Sequence, residues 1–175
     1  MGSHDSKSIL ILGIGTELRG DDAAGLHVAR RLMTEKLPGS ATILEMRGDG
    51  ATLMEQWKGS THVILADAVT ADLPPGSVIR FNARKDLLPA NLFAASSHSF
   101  GVAQALAVSL ALDELPPSVI LFGIQAKSFQ MGTDLSPEVR RAIDETTGAI
   151  RKEVAGIMKE SRGRHRNQVT LSRYS

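Results

Sequence analysis

Short apolar runs rich in β-branched residues alternate with segments whose apolar positions recur at helical spacing. Ser8–Gly13 (SILILG) predicts a buried strand closed by glycine. From Asp22 to Glu35, Leu26, Ala29, Leu32 and Met33 share one face, while His27, Arg30, Arg31 and Thr34 share the other, which predicts an amphipathic helix. Ala41–Met46 predicts a second strand, Thr52–Lys58 a short helix, and His62–Ala66 (HVILA) a third buried strand ending at Asp67. Pro74-Pro75-Gly76 is a tight turn, after which Ser77–Phe81 predicts a strand. Phe100–Leu112 is apolar nearly all round and predicts a buried helix, and Ser118–Ile124 (SVILFGI) another buried strand. Ser136-Pro137-Glu138 is a helix start: serine caps, proline occupies the first turn and the acid meets the dipole. Val139, Ile143, Thr147, Ile150, Val154 and Ile157 then mark one face of a long helix.

Strands and helices in alternation predict an α/β fold. One domain over residues 7–160 is expected, a three-layer fold with a twisted, mostly parallel sheet and helices on both faces. The turn at Pro74–Gly76 points to one antiparallel pair. After Glu160 the periodicity stops, so a basic, disordered tail is expected over 161–175. The 175 residues suit a single domain that buries about 70% of its unfolded surface, and 42% hydrophobic with 22% charged residues is an ordinary globular balance.

The chain has no cysteine, which excludes disulfides, cysteine-held zinc or iron–sulfur clusters, and a thiol nucleophile. It also fits a cytoplasmic location. Net charge is +1, from 20 basic and 19 acidic residues. Four of the basic residues (Arg162, Arg164, Arg166, Arg173) lie in the acid-free tail, which leaves the body with 16 against 19, or −3. Nucleic-acid binding is therefore not expected of the folded body. No apolar run is long enough for a membrane span, and the polar first residues show no apolar signal region, so neither a membrane span nor a secretory signal is expected. The core accounts for the helical faces, so a monomer is expected. Trp57 and the methionines read as core packing.

In open α/β sheets ligands bind beyond the carboxyl ends of the strands. Gly13-Ile14-Gly15-Thr16-Glu17-Leu18-Arg19-Gly20-Asp21-Asp22 follows the first strand, Arg47-Gly48-Asp49-Gly50 the second and Asp67 the third; Ser96-Ser97-His98-Ser99 precedes the apolar helix, and Gln125 follows the last strand. The first loop is not a dinucleotide fingerprint. Its glycine spacing is wrong, and two acids stand where a phosphate needs an uncharged helix start. Asp21 is expected to cap the helix and Asp22 to point into the site. Asp67 and His98 complete a set of two carboxylates and an imidazole. That set fits either an oxygen/nitrogen metal site or general acid–base chemistry. His27 is expected at the surface, His62 in a structural role, and Asp49 in an Asp-Gly turn. No nucleophile elbow or H-E-x-x-H motif is present, so water is the expected nucleophile of any hydrolysis.

These residues resemble the [NiFe]-hydrogenase maturation endopeptidases. The resemblance runs from Ile9 to Lys159 and is carried by LGIGTELRGDDAAG (Leu12–Gly25), RGDGATLMEQWKG (Arg47–Gly59), VILADAV (Val63–Val69), PPGSV (Pro74–Val78), SSHSFGVAQAL (Ser96–Leu106) and FGIQAKSFQMGTDLSPEV (Phe122–Val139), in the family's order. Thr16, Ala23 and Ala126 depart from residues common in the family. The resemblance implies an endopeptidase that removes the C-terminal extension of a [NiFe]-hydrogenase large-subunit precursor once nickel is inserted. The nickel is carried by the substrate and contacted through Asp22, Asp67 and His98, which by motif serve both as metal contacts and as the catalytic set. A non-catalytic nickel-recognition chaperone on this scaffold and a Mg²⁺-dependent α/β hydrolase are the alternatives. His98 would be superfluous to the octahedral oxygen chemistry of the latter.

Overall fold

A computed structural model of the chain describes residues 9–87, 92 and 100–171, with side chains as far as Ser161. Five strands form one sheet: β1 (Ile9–Ile14), β2 (Ala41–Met46), β3 (His62–Val69), β4 (Val78–Asn82) and β5 (Ser118–Gln125), in the order β2-β1-β3-β5-β4. All neighbours pair in parallel except β4, an edge strand antiparallel to β5, as the Pro74–Gly76 turn suggested. The helices are α1 (Ala24–Thr34), α2 (Gly50–Trp57), α3 (Val102–Ala111) and α4 (Pro137–Leu171).

Alternation along the strands divides the core in two. Ile9 and Ile11 of β1, Ile64 and Ala66 of β3, and Ile120 and Phe122 of β5 pack against Val28 and Leu32 of α1 and Val139, Ile150 and Val154 of α4. Leu10, Leu12, Val63, Leu65, Val119 and Leu121 meet Leu53 and Trp57 of α2 and Val102 and Leu106 of α3 on the other face. Strands buried on both faces need apolar residues at successive positions, which is why they read as continuous runs. Trp57 is core as expected, but Met33 and Met131 are 49% and 67% exposed, and so are not core residues.

The first helix does not begin at Asp22. A single 3₁₀ turn, Gly20–Ala23, precedes α1. Close packing explains the break: a Cβ on Gly25 would lie 2.1 Å from the Ala66 carbonyl oxygen and 2.2 Å from that of Ile14. The first turn of α1 thus rests directly on the ends of β1 and β3, and the acid pair is held just above them. Gly25→Ala is expected to cost about 1–3 kcal/mol through overpacking. A urea midpoint equal to the wild type's would contradict this contact.

The structure also differs from the sequence reading at both later helices. α3 buries Val102, Ala105, Leu106 and Ser109, but Val108, Leu110 and Leu112 are 37%, 48% and 60% exposed. The core therefore does not occupy every helical face, and the premise for a monomer fails at α3. α4 continues to Leu171 across the segment expected to be disordered. Its apolar stripe ends near Ile157, but Ser161–Leu171 contains no proline, and an established helix extends readily without a packed face.

Candidate functional site

Chain order places the site. From β1 the chain moves outward to β2, then returns across β1 to β3 and onward, so the strand order reverses direction between β1 and β3. The crevice beyond the carboxyl ends of such a strand pair is the usual binding position in open α/β sheets. β1 stops pairing with β3 at Gly13↔Ala66, while β3 pairs with β5 as far as Val69↔Gln125. Asp67 is the first residue of β3 beyond that limit. It lies within the strand rather than ending it, because β5 continues the ladder.

Asp67 is 6% exposed, and its Oδ1 accepts a hydrogen bond from the Ala68 N–H at 2.8 Å. Oδ2 accepts none and no cation pairs with the carboxyl among the described residues. Burial, and then the charge of nearby Asp22, push the Asp67 carboxyl well above the ordinary carboxylate range, against the opposing effect of the Ala68 N–H. Asp22 sits in the 3₁₀ turn, its side chain 13% exposed and 3.7 Å from Arg19 Nη1. A Cβ on Gly15 would stand 2.0 Å from the Asp22 carbonyl oxygen, so glycine there lets the turn lie against the end of β1. The structure therefore brings Asp22 and Asp67 together. His98 lies outside the described residues, and among the described residues no group of three possible metal-ligating acids or histidines occurs. α3, which follows His98 in the chain, starts close by: the Phe100 carbonyl accepts the Gly50 N–H at 2.9 Å.

Asp21 does not cap the helix as expected, since neither the 3₁₀ turn nor α1 has a side-chain cap. It is buried, at 1% exposure, and its carboxylate is a clamp. Oδ2 accepts from Lys127 N–H (2.8 Å), Ser128 N–H (3.1 Å) and the Ser136 hydroxyl (3.0 Å), and Oδ1 from Ser136 N–H (2.7 Å). One carboxylate thereby ties the first loop to the loop after β5 and to the cap of α4, where Ser136 Oγ also meets the Val139 N–H at 3.4 Å. Gln125 assists: its Oε1 accepts the Ala71 N–H and its Nε2 donates to the Ala126 carbonyl.

Asp49 is the N-cap of α2, accepting from the Thr52 N–H at 2.8 Å and its hydroxyl at 2.7 Å, a more definite role than a turn residue. His27 is half-buried rather than at the surface, and desolvation, with Arg30, lowers its pKa. His62 opens β3 and contacts the Thr61 hydroxyl, as a structural residue would. Sequence reasoning missed Arg19. Its guanidinium turns inward to Asp22 and over the Phe129 ring at 5.8 Å, and the only sequence signal was a cation three residues before an acid on one turn.

Two carboxylates in a poorly solvated crevice, one with an oxygen that accepts no hydrogen bond from the described residues, suit a cation or a proton transfer. Without a cation the Asp22 charge favours the protonated form of Asp67. The matching family model is the hydrogenase maturation protease, aligned over residues 26–153. The hydrogenase 2 maturation protease of Escherichia coli is 29% identical, with 87% of this chain and 97% of that protein covered. The structure of a [NiFe] hydrogenase maturation protease, HybD from Thermococcus kodakarensis, is 29% identical at TM-score 0.64, covering 84% of this chain and 99% of that one. An Escherichia coli endopeptidase solved in solution is 25% identical at TM-score 0.69, covering 82% and 89%.

Proposed function

Since the chain belongs to the hydrogenase maturation protease family and is an endopeptidase, we propose that it removes the C-terminal extension of a [NiFe]-hydrogenase large-subunit precursor after nickel insertion. The observation that carries the reading is the Asp22–Asp67 pair at the strand-order reversal, Asp67 buried and in no ion pair among the described residues, Asp22 partly buried beside it.

Nickel arrives as part of the substrate. Asp22 and Asp67 offer carboxylate oxygens and His98 offers an imidazole nitrogen, a donor set of the borderline hardness that suits nickel. A precursor without metal leaves Asp67 in the protonated form that burial and the Asp22 charge favour. A loaded one supplies the missing positive charge, and Asp67 releases its proton as the cation is contacted. The pocket thus separates loaded from empty precursor by differential contact. Water is the nucleophile, because the chain presents no serine elbow and has no cysteine. A carboxylate that gains and releases a proton within the pocket is suited to accept one from that water.

The test is incubation of the full chain with a large-subunit precursor, with and without its nickel, followed by intact-mass spectrometry. Loss of one short C-terminal peptide from the nickel-loaded form alone is the expected result. Binding without loss of mass from either form would overturn the protease reading in favour of a recognition chaperone.

A further inference from the structure

The turn that carries the acid pair inverts the ordinary rule of burial. Leu18 is 71% exposed, whereas the side chain of Arg19, the next residue, is 21% exposed and folded over Phe129 toward Asp22. A loop free to choose would bury the leucine and solvate the guanidinium. The backbone also bears strain to hold this arrangement: Leu18 has φ +58°, a left-handed conformation that an L-residue with a Cβ rarely adopts. It is fastened there from across the turn. The Leu18 carbonyl accepts the Gly132 N–H at 2.7 Å, and the Thr133 carbonyl accepts the Gly20 N–H at 3.1 Å. Met131, next to Gly132, is itself 67% exposed. Two large apolar side chains therefore stand out from two segments tied together by backbone bonds, and one of them is next in sequence to Arg19, which contacts Asp22. Strained residues that the surrounding structure over-determines cluster where a ligand is met.

We propose that Leu18 and Met131 form an apolar lip that takes an apolar side chain of the precursor's C-terminal segment and so sets substrate affinity. The inference rests on the processing function above. Its occupant is the precursor because the lip adjoins the acid-bearing turn: Leu18 directly precedes Arg19, which caps the turn that carries Asp22 and reaches its carboxylate at 3.7 Å, so a chain presented to the acids passes it.

The experiment compares Leu18→Ser, Leu18→Gly and Leu18→Met in the full chain, with nickel-loaded precursor as substrate and thermal unfolding recorded alongside. Ser and Gly are expected to raise KM about 10- to 100-fold, the scale of one buried leucine, with kcat unchanged. Met should retain the wild-type KM. Gly relieves the left-handed strain, so its Tm should not fall, and a loss of affinity there cannot be ascribed to a damaged turn. Wild-type KM in Leu18→Gly would overturn the lip while leaving the protease reading intact. A fall in kcat with KM unchanged would overturn it too, by making Leu18 a positioning residue for Asp22. A dimer that Leu18→Ser disperses without altering KM would assign the lip to a second copy instead. A wild-type chain that cleaves no loaded precursor would remove both readings together.

Discussion

Asp67→Asn is expected to abolish precursor processing and yet leave a protein at least as stable as the wild type at neutral pH. Loss of processing stems from the site: Asn cannot carry the charge that meets the cation, nor hold and release the proton, and positioned proton transfer alone is worth about 10²–10⁴ in rate. The stability half stems from Asp67's environment. Burial and the Asp22 charge raise its folded pKa above that of the unfolded chain. The unfolded carboxyl ionises near pH 4 while the folded one keeps its proton. The wild type therefore loses stability as pH rises from about 4 through the folded titration, and Asn loses none. Asn also retains an oxygen for the Ala68 N–H. The difference in Tm, variant minus wild type, should be smallest near pH 4 and widen as the pH rises above it, by about 2–4 °C for each kcal/mol recovered in a chain of this size. A pH-independent difference would mean that the carboxyl is not held protonated. Full processing by the variant would remove Asp67 from the site. Stability sacrificed at a functional acid is a familiar trade.

Legibility in the sequence divides along the range of the interactions. The central strands β1, β3 and β5 are legible because burial on both faces writes a continuous apolar run, and the half-exposed edge strand Ala41–Met46 is also found with the predicted bounds. Ser136 is legible as a cap because its signal lies within three residues. The break before α1 is not, since it arises from contact of Gly25 with Ala66 on another strand. Nor are the partners of Asp21, which lie more than a hundred residues along the chain. Exposure of Val108, Leu110 and Leu112 contradicts the all-apolar reading of α3 because hydropathy records which residues could be buried, not which surface is available. The acid pair is legible through topology, because Asp22 and Asp67 both stand near the carboxyl ends of neighbouring parallel strands. The inversion of Leu18 and Arg19 runs against hydropathy and becomes visible only with the turn in place.

The neighbours Asp21 and Asp22 should fail in opposite ways. Asp21→Ala leaves the N–H groups of Lys127, Ser128 and Ser136 and the Ser136 hydroxyl without their acceptor. A stranded buried donor costs about 1–3 kcal/mol, and water can enter to satisfy some of these, so the total is roughly 3–5 kcal/mol. That corresponds to a Tm lower by about 10 °C or more. Asp22→Asn breaks only a 3.7 Å contact with Arg19 at a partly solvated position, worth about 1 kcal/mol or less. Processing should nevertheless disappear, since this carboxylate is half of the pair. A second consequence distinguishes a contact in the site from a general defect. Without the Asp22 charge, one of the two causes raising the Asp67 pKa is gone, so the total stability lost as pH rises above about 4 should be smaller than in the wild type. Thermal unfolding across that range, with processing assayed on the same preparations, separates the two acids. An Asp21 variant with wild-type Tm would show that the clamp holds nothing. An Asp22 variant that unfolds as readily as Asp21→Ala would place the second acid in the scaffold instead of the site.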